Sequence, residues 1–194
     1  MRRFAALAMS LILSGCWSGP PLFDARDAVP VIADGTYYAR EPIAPGGPYP
    51  VEKPGDEVMT VRRQADNSLL VTSGGSDDAE RVDLRVLAVP LDPVHADRFV
   101  LQIERRRRGE PRHDVSYLLL DTRPSPARLV ILPCSFAVRS AVEAGGGYVS
   151  RDPNSGAQCI FRDRTALLGQ LRASLVAETA PGNLLELIRV SDKP

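Results

Sequence analysis

The sequence predicts a mostly β, α+β domain: an antiparallel barrel- or sandwich-like sheet of about seven strands with one amphipathic C-terminal helix packed on it. Three observations lead there. Short runs of alternating apolar and polar residues recur between residues 35 and 134, separated by turn residues. Each run lies close enough to the next for a hairpin connection. A longer stretch near the C-terminus, 163–178, changes to helical spacing of its leucines.

The elements follow in order. "GTYYAR", residues 35–40, reads as a first short strand with Gly35 as its turn. Residues 41–57 hold five prolines and three glycines. Proline offers no N–H to a sheet ladder, so this stretch is a loop. A loop of that length is often mobile or functional, and Tyr49 is its candidate lid contact to a ligand. "VMTVRR" and "LLVTS" flank the polar turn "QADNS", which makes a hairpin over 58–73. "GGSDDAE", 74–80, is a further loop. "RVDLRVLAV" places Val82, Leu84 and Val86 on one face and Asp83 and Arg85 on the other. "RFVLQIERR" repeats the pattern, "GEPR" turns the chain, "DVSYLLLD" returns, and "ARLVILP" leads to Cys134. "SFAVRSAVEA", 135–144, suits a short helix with Ser135 as its N-cap. "RDPNSG", 151–156, reads as a turn. "DRTALLGQLRASLVAE" is the strongest helix, capped by Asp163. Leu168, Leu171 and Leu175 form its apolar stripe and Leu167 widens it. "LLELIRV", 184–190, is the last strand.

The N-terminus has a different organisation. Arg2 and Arg3 precede an apolar run from Phe4 to Leu13, followed by the small residues Ser14 and Gly15 and then Cys16. That is the three-part layout of a secretory signal peptide. The run is about ten residues, short of the ~20 a membrane-spanning helix needs, and no later stretch is apolar enough to span. Leu13-Ser14-Gly15-Cys16 resembles the lipobox of bacterial lipoproteins. The resemblance covers the first sixteen residues only. It implies cleavage before Cys16, which becomes the first mature residue and carries diacylglycerol and a further acyl chain such as palmitate. One acyl chain holds a protein marginally, whereas two or three hold it stably. Trp17 follows the cysteine. In the enteric version of the family an aspartate there favours the inner membrane, so its absence implies the outer membrane, facing the periplasm. The expected organisation is therefore a signal peptide over 1–15, a lipidated cysteine and Pro-containing tether over 16–34, and one globular domain over 35–194. Phe23, Val29, Val31 and Ile32 are apolar enough for the tether to end by docking.

Composition narrows the function classes. The 194-residue chain carries 24 basic and 24 acidic residues. Cleavage removes two arginines and no carboxylate, which leaves the mature chain slightly acidic. A near-neutral protein has no long-range field for polyanions, so nucleic acid is not an expected partner. The mature domain keeps Cys134 and Cys159. In an oxidising compartment such a pair is expected as a structural disulfide.

Signatures of catalysis are sparse. There is no G-x-S-x-G, H-E-x-x-H, C-x-x-C or Walker sequence. His95 and His113, the two histidines, fall in turn-rich segments beside Asp97 and Asp114. Asp77 and Asp78 offer two of the six or more oxygens that a hard cation wants. No metal or cofactor is expected. Arg105, Arg106, Arg107 and Arg108 form the densest charge cluster, at the tip of an expected hairpin. Arginine forks suit phosphate or carboxylate, and the acidic Glu104 and Glu110 flank the run. The expected function is a non-catalytic, membrane-anchored binding module of the cell envelope, contacting an envelope protein or an anionic envelope component. The alternatives are a carrier that holds a small apolar or lipid-like ligand in a barrel mouth beneath loop 41–57, and a hydrolase with an unconventional site.

Overall fold

The computed structural model describes residues 17–42, 58–73, 82–106, 115–152, 156–176 and 184–192. In chain order the strands are β1 (Trp17–Gly19), β2 (Gly35–Arg40), β3 (Met59–Arg63), β4 (Leu69–Ser73), β5 (Val82–Pro90), β6 (Arg98–Arg106), β7 (Val115–Asp121) and β8 (Ala127–Val130). Helix α1 (Phe136–Ala144), strands β9 (Tyr148–Asp152) and β10 (Gly156–Ile160), helix α2 (Arg164–Val176) and strand β11 (Leu184–Ser191) complete the fold.

Eight strands close a barrel. β2 to β8 run round in sequence order, β11 inserts between β8 and β2, and β6 pairs with β7 to complete the ring. Every neighbouring pair in the ring is antiparallel. The expected antiparallel sheet is therefore a closed barrel, a form that leaves no free edge. The inward rows follow from the two-residue period of a strand. Val86 stands opposite Ile103, Ala88 opposite Leu101, Leu101 opposite Leu118, and Leu120 opposite Leu129. With Val61, Leu69, Val71, Leu84 and Leu187 they form one buried apolar cluster.

A second core lies outside the ring. The outward residues Leu87 and Val89 of β5, Val100 of β6, Tyr117 and Leu119 of β7 and Val130 of β8 pack with Val138 and Val142 of α1 and Leu167 and Leu171 of α2. Strands β5 to β7 are thus apolar on both faces, which is why "YLLL" lacks alternation. Both helix starts are capped as the sequence suggests. Ser135 accepts from the Val138 N–H, and the Asp163 carboxylate accepts from the Ala166 N–H at 2.7 Å. The stripe of α2 is centred on Leu167 and Leu171, both fully buried, with Leu168 and Leu175 half-buried at its edges. The reason is that α1 shares the cover, so the buried face of α2 is narrower than a lone helix would present.

Three strands extend the sheet sideways. β1 lies between the N-terminal half of β7, which it meets antiparallel, and β10, which it meets parallel. β10 pairs antiparallel with β9, and Arg151, Asp152 and Gly156, expected in a turn, belong to these two strands. Gly19 ends β1 where a Cβ would run into the Phe161 carbonyl oxygen, so a bare backbone is required there.

Candidate functional site

The residues next to Cys16 are the part of the molecule that the expected anchor bears on. Cys16 itself lies outside the described residues, which begin with Trp17. Trp17 is fully enclosed. Its indole N–H donates to the Pro133 carbonyl at 3.1 Å, and its ring centre lies 4.9 Å from that of Phe161. Ser18 is also buried, and its carbonyl accepts from the Phe161 N–H at 2.7 Å. Cys159, opposite Trp17 in the β1–β10 pair, is disulfide-bonded to Cys134 with their Cα atoms 5.4 Å apart. The expected disulfide is present, and it ties the approach to α1 to the extension that holds the N-terminus.

The segment expected as a tether is packed along its length. Gln102, fully buried on the outward row of β6, accepts from the Leu22 and Phe23 N–H groups, each at 3.0 Å. Its amide donates to the Phe23 carbonyl and to a Glu104 carboxylate oxygen, both at 3.1 Å. Phe23 and Ala28 enter the outer core, and the Arg164 guanidinium stacks over the Phe23 ring at 4.7 Å. The Val29 N–H donates to the Ala88 carbonyl at 2.9 Å, and Val29, Val31 and Ile32 pack against the barrel cluster. Docking thus begins at Trp17, well before the end of the segment. Proline and charge in 17–34 point to slack, but the Leu22, Phe23 and Val29 backbone groups bond to β5 and β6 and the apolar side chains join the two cores.

Among the described residues the other candidates do not converge. Arg105 is exposed at the end of β6, in register with Leu84 on the inward row. Arg106 is the last residue of β6, and Arg107 and Arg108 lie outside the described residues, as do Tyr49, Asp77, Asp78 and His113. His95 takes Asp92 as its partner, Nδ1 to Oδ1 at 2.9 Å, and Asp97 faces Arg123 at 3.6 Å. Arg172 of α2 binds the other Asp92 oxygen at 2.7 Å and the Leu91 carbonyl at 3.2 Å. Those hydrogen bonds, Arg172 first and His95 next, hold the Asp92 carboxyl well below the usual range. The cluster is a clasp between the β5–β6 turn and α2. Among the described residues no group of three metal-ligating side chains occurs, and no helix is long and apolar enough to cross a membrane.

Two further charge clusters span neighbouring strands. Arg40 reaches one Glu186 oxygen through Nε and Nη2 at 3.2 and 3.1 Å, and Arg128 stands 3.7 Å from the other. This row crosses β2, β11 and β8 in register. Arg85 bridges Asp66 at 2.9 Å and Glu104 at 3.3 Å. The Ser68 hydroxyl, and then Arg85, lower the Asp66 carboxyl to about 2.

Sequence reasoning passed over Trp17 and Gln102 as fixing points. Gln102 sits at a polar position of an alternating strand, which ordinarily faces water, and the chain that covers it comes from 80 residues earlier. The fold and the site together define a closed eight-stranded antiparallel barrel with a three-strand extension that captures the chain start. Comparison with protein-family models, curated proteins and solved structures finds no match.

Proposed function

We propose that the protein is a cell-envelope lipoprotein, anchored through Cys16, that acts as a non-catalytic binding module held close to the membrane surface. One observation carries the anchoring half of this reading. Trp17 and Ser18, directly after Cys16, are enclosed and paired with β7 and β10, so cleavage before Cys16 spares every described strand and helix. A lipobox at the junction between leader and fold is where processing leaves a folded domain intact. The binding half is supported by the barrel interior, whose inward side chains pack on one another as a single apolar cluster. Function would then fall to the outer surface and the strand connections. The barrel closure also fits a carrier with a ligand at one mouth.

Native mass spectrometry of the protein extracted gently from its own envelope tests both halves. Acyl mass on the N-terminal peptide together with a discrete larger complex supports the module. A stoichiometric small-molecule mass beyond the acyl chains would replace it with the carrier. A chain without acyl mass would refute the anchor.

A further inference from the structure

The structure presents one large aromatic side chain to solvent on a helix that is otherwise docked. Phe136, the first residue of α1, is 84% exposed. Around it Pro133, Ser135, Ala137 and Ser140 are also exposed. The first two turns of α1 carry no carboxylate, and their only charge is the cation of Arg139, which is fixed by a hydrogen bond from Nε to the Cys134 carbonyl at 3.3 Å. Phe136 is the only large apolar side chain of this face, with Arg139 one turn on and the carboxylate of Glu143 in the turn after that; an aromatic ring beside a cation at the leading end of a helix is the composition of interfacial helices.

Its position says what covers it. Cys16 is one peptide bond from Trp17. Trp17 is the cross-strand neighbour of Cys159, Cys159 is joined to Cys134 over 5.4 Å, and Phe136 is two residues further on. Strand spacing and Cα steps put Phe136 at most about 22 Å from Cys16 along this path. Because Trp17 is locked, no slack separates an acylated Cys16 from this patch.

We infer that the surface formed by Phe136, Ala137 and Ser140 at the start of α1 rests on the lipid bilayer, with the Phe136 ring in the headgroup–acyl boundary and Arg139 level with anionic headgroups. This inference rests on the anchoring of Cys16 proposed above. It fixes the orientation of the domain: the α1 side faces the membrane, and the outer faces of β3 and β4, on the far side of the ring, face away.

The test uses the full acylated protein in phosphatidylcholine vesicles brominated near the head of the acyl chains. F136W carries the reporter at the patch. R62W carries it on the exposed outer row of β3, across the ring from β7 and β8. The native Trp17 is enclosed and supplies the same background in both. Mass spectrometry of the N-terminal peptide is run on the same samples. Quenching of F136W with R62W unaffected is the expected result. If the acyl mass is present and F136W is unquenched, or both variants are quenched alike, the orientation is wrong and the anchor stands. If the acyl mass is absent, the anchoring reading fails and this inference fails with it.

Discussion

The sharpest single test of the fold is Gln102→Met. The substitution keeps length and volume and removes the amide that pins the start of the chain to β6. In the native protein this amide satisfies two backbone N–H groups, of Leu22 and Phe23, and the Phe23 carbonyl. Leu22 is half-buried and can turn to water, whereas the Phe23 groups are enclosed. A buried backbone group left without a partner costs about 1–3 kcal/mol, so two give about 3 kcal/mol. With a urea dependence of about 2 kcal/mol per molar, the midpoint falls by about 1.5 M. Trp17 is the only tryptophan and reports the transition by fluorescence. Gln102→Glu is the companion. It keeps both acceptor contacts, loses the donor, and sets a carboxylate against Glu104. That repulsion and burial raise the new carboxyl's folded pKa above its unfolded value near 4.3. A raised acid is stabilised in its protonated form, so the deficit relative to wild type is full at neutral pH and shrinks as pH falls through the folded pKa. A midpoint shift below about 0.3 M for Gln102→Met would refute the assignment of Gln102 as the pin, because about 0.6 kcal/mol is within the range of an ordinary surface change.

The other charged, covalent and steric features give further expectations. Glu186→Ala leaves Arg40 and Arg128 facing each other across β11 and is expected to cost about 1 kcal/mol in the same urea assay, because both arginines keep contact with water. The low carboxyl of Asp66 contributes stability above the unfolded value near 3.9, and this is lost as pH falls toward about 2; Asp66→Asn is expected to flatten that part of an acid titration of thermal stability. Cys134→Ser with Cys159→Ser opens a loop of 25 residues' separation and is expected to remove about 3 kcal/mol; wild type in reducing buffer should match the double variant. Gly19→Ala drives a Cβ into the Phe161 carbonyl oxygen and is expected to detach β1, seen as a red shift of Trp17 emission with the barrel's far-ultraviolet dichroism retained.

How far the sequence reaches depends on where each element finds its stabilisation. The barrel strands are legible because each carries its own two-residue alternation, as Leu84, Val86 and Ala88 do, and because most pair with a sequence neighbour. The helix starts are legible because Ser135 and Asp163 act within their own first turns. The disulfide follows from compartment and cysteine number. Closure of the barrel is not legible, since the β11–β2 pairing joins the two ends of the domain and no local pattern encodes it. β1 is three residues long and is a strand only because β7 and β10 flank it. β9 and β10 are short and mixed in polarity, so neither shows a period. The site divides in the same way. Cys16 is marked by a local motif. The role of Trp17 comes from Pro133, Cys159 and Phe161, far along the chain.

The capture of Trp17 alters what an anchored module can reach. If residues 17–34 were a free tether, they would let the domain range about 23 Å from the membrane, by the scaling of a flexible chain. Locked as they are, they allow almost none. A domain on a long tether samples partners through a volume and pays for ordering on capture. A domain with no slack searches only the membrane plane, in a fixed orientation, and loses little further freedom when it binds. Given a Cys16 anchor, the partners favoured by this design are themselves in or close against the membrane. In the orientation inferred above, the surfaces left to meet them would be the flanks of the barrel between the α1 side and the outer rows of β3 and β4. The row of Arg40, Glu186 and Arg128, which crosses β2, β11 and β8, runs along one of those flanks.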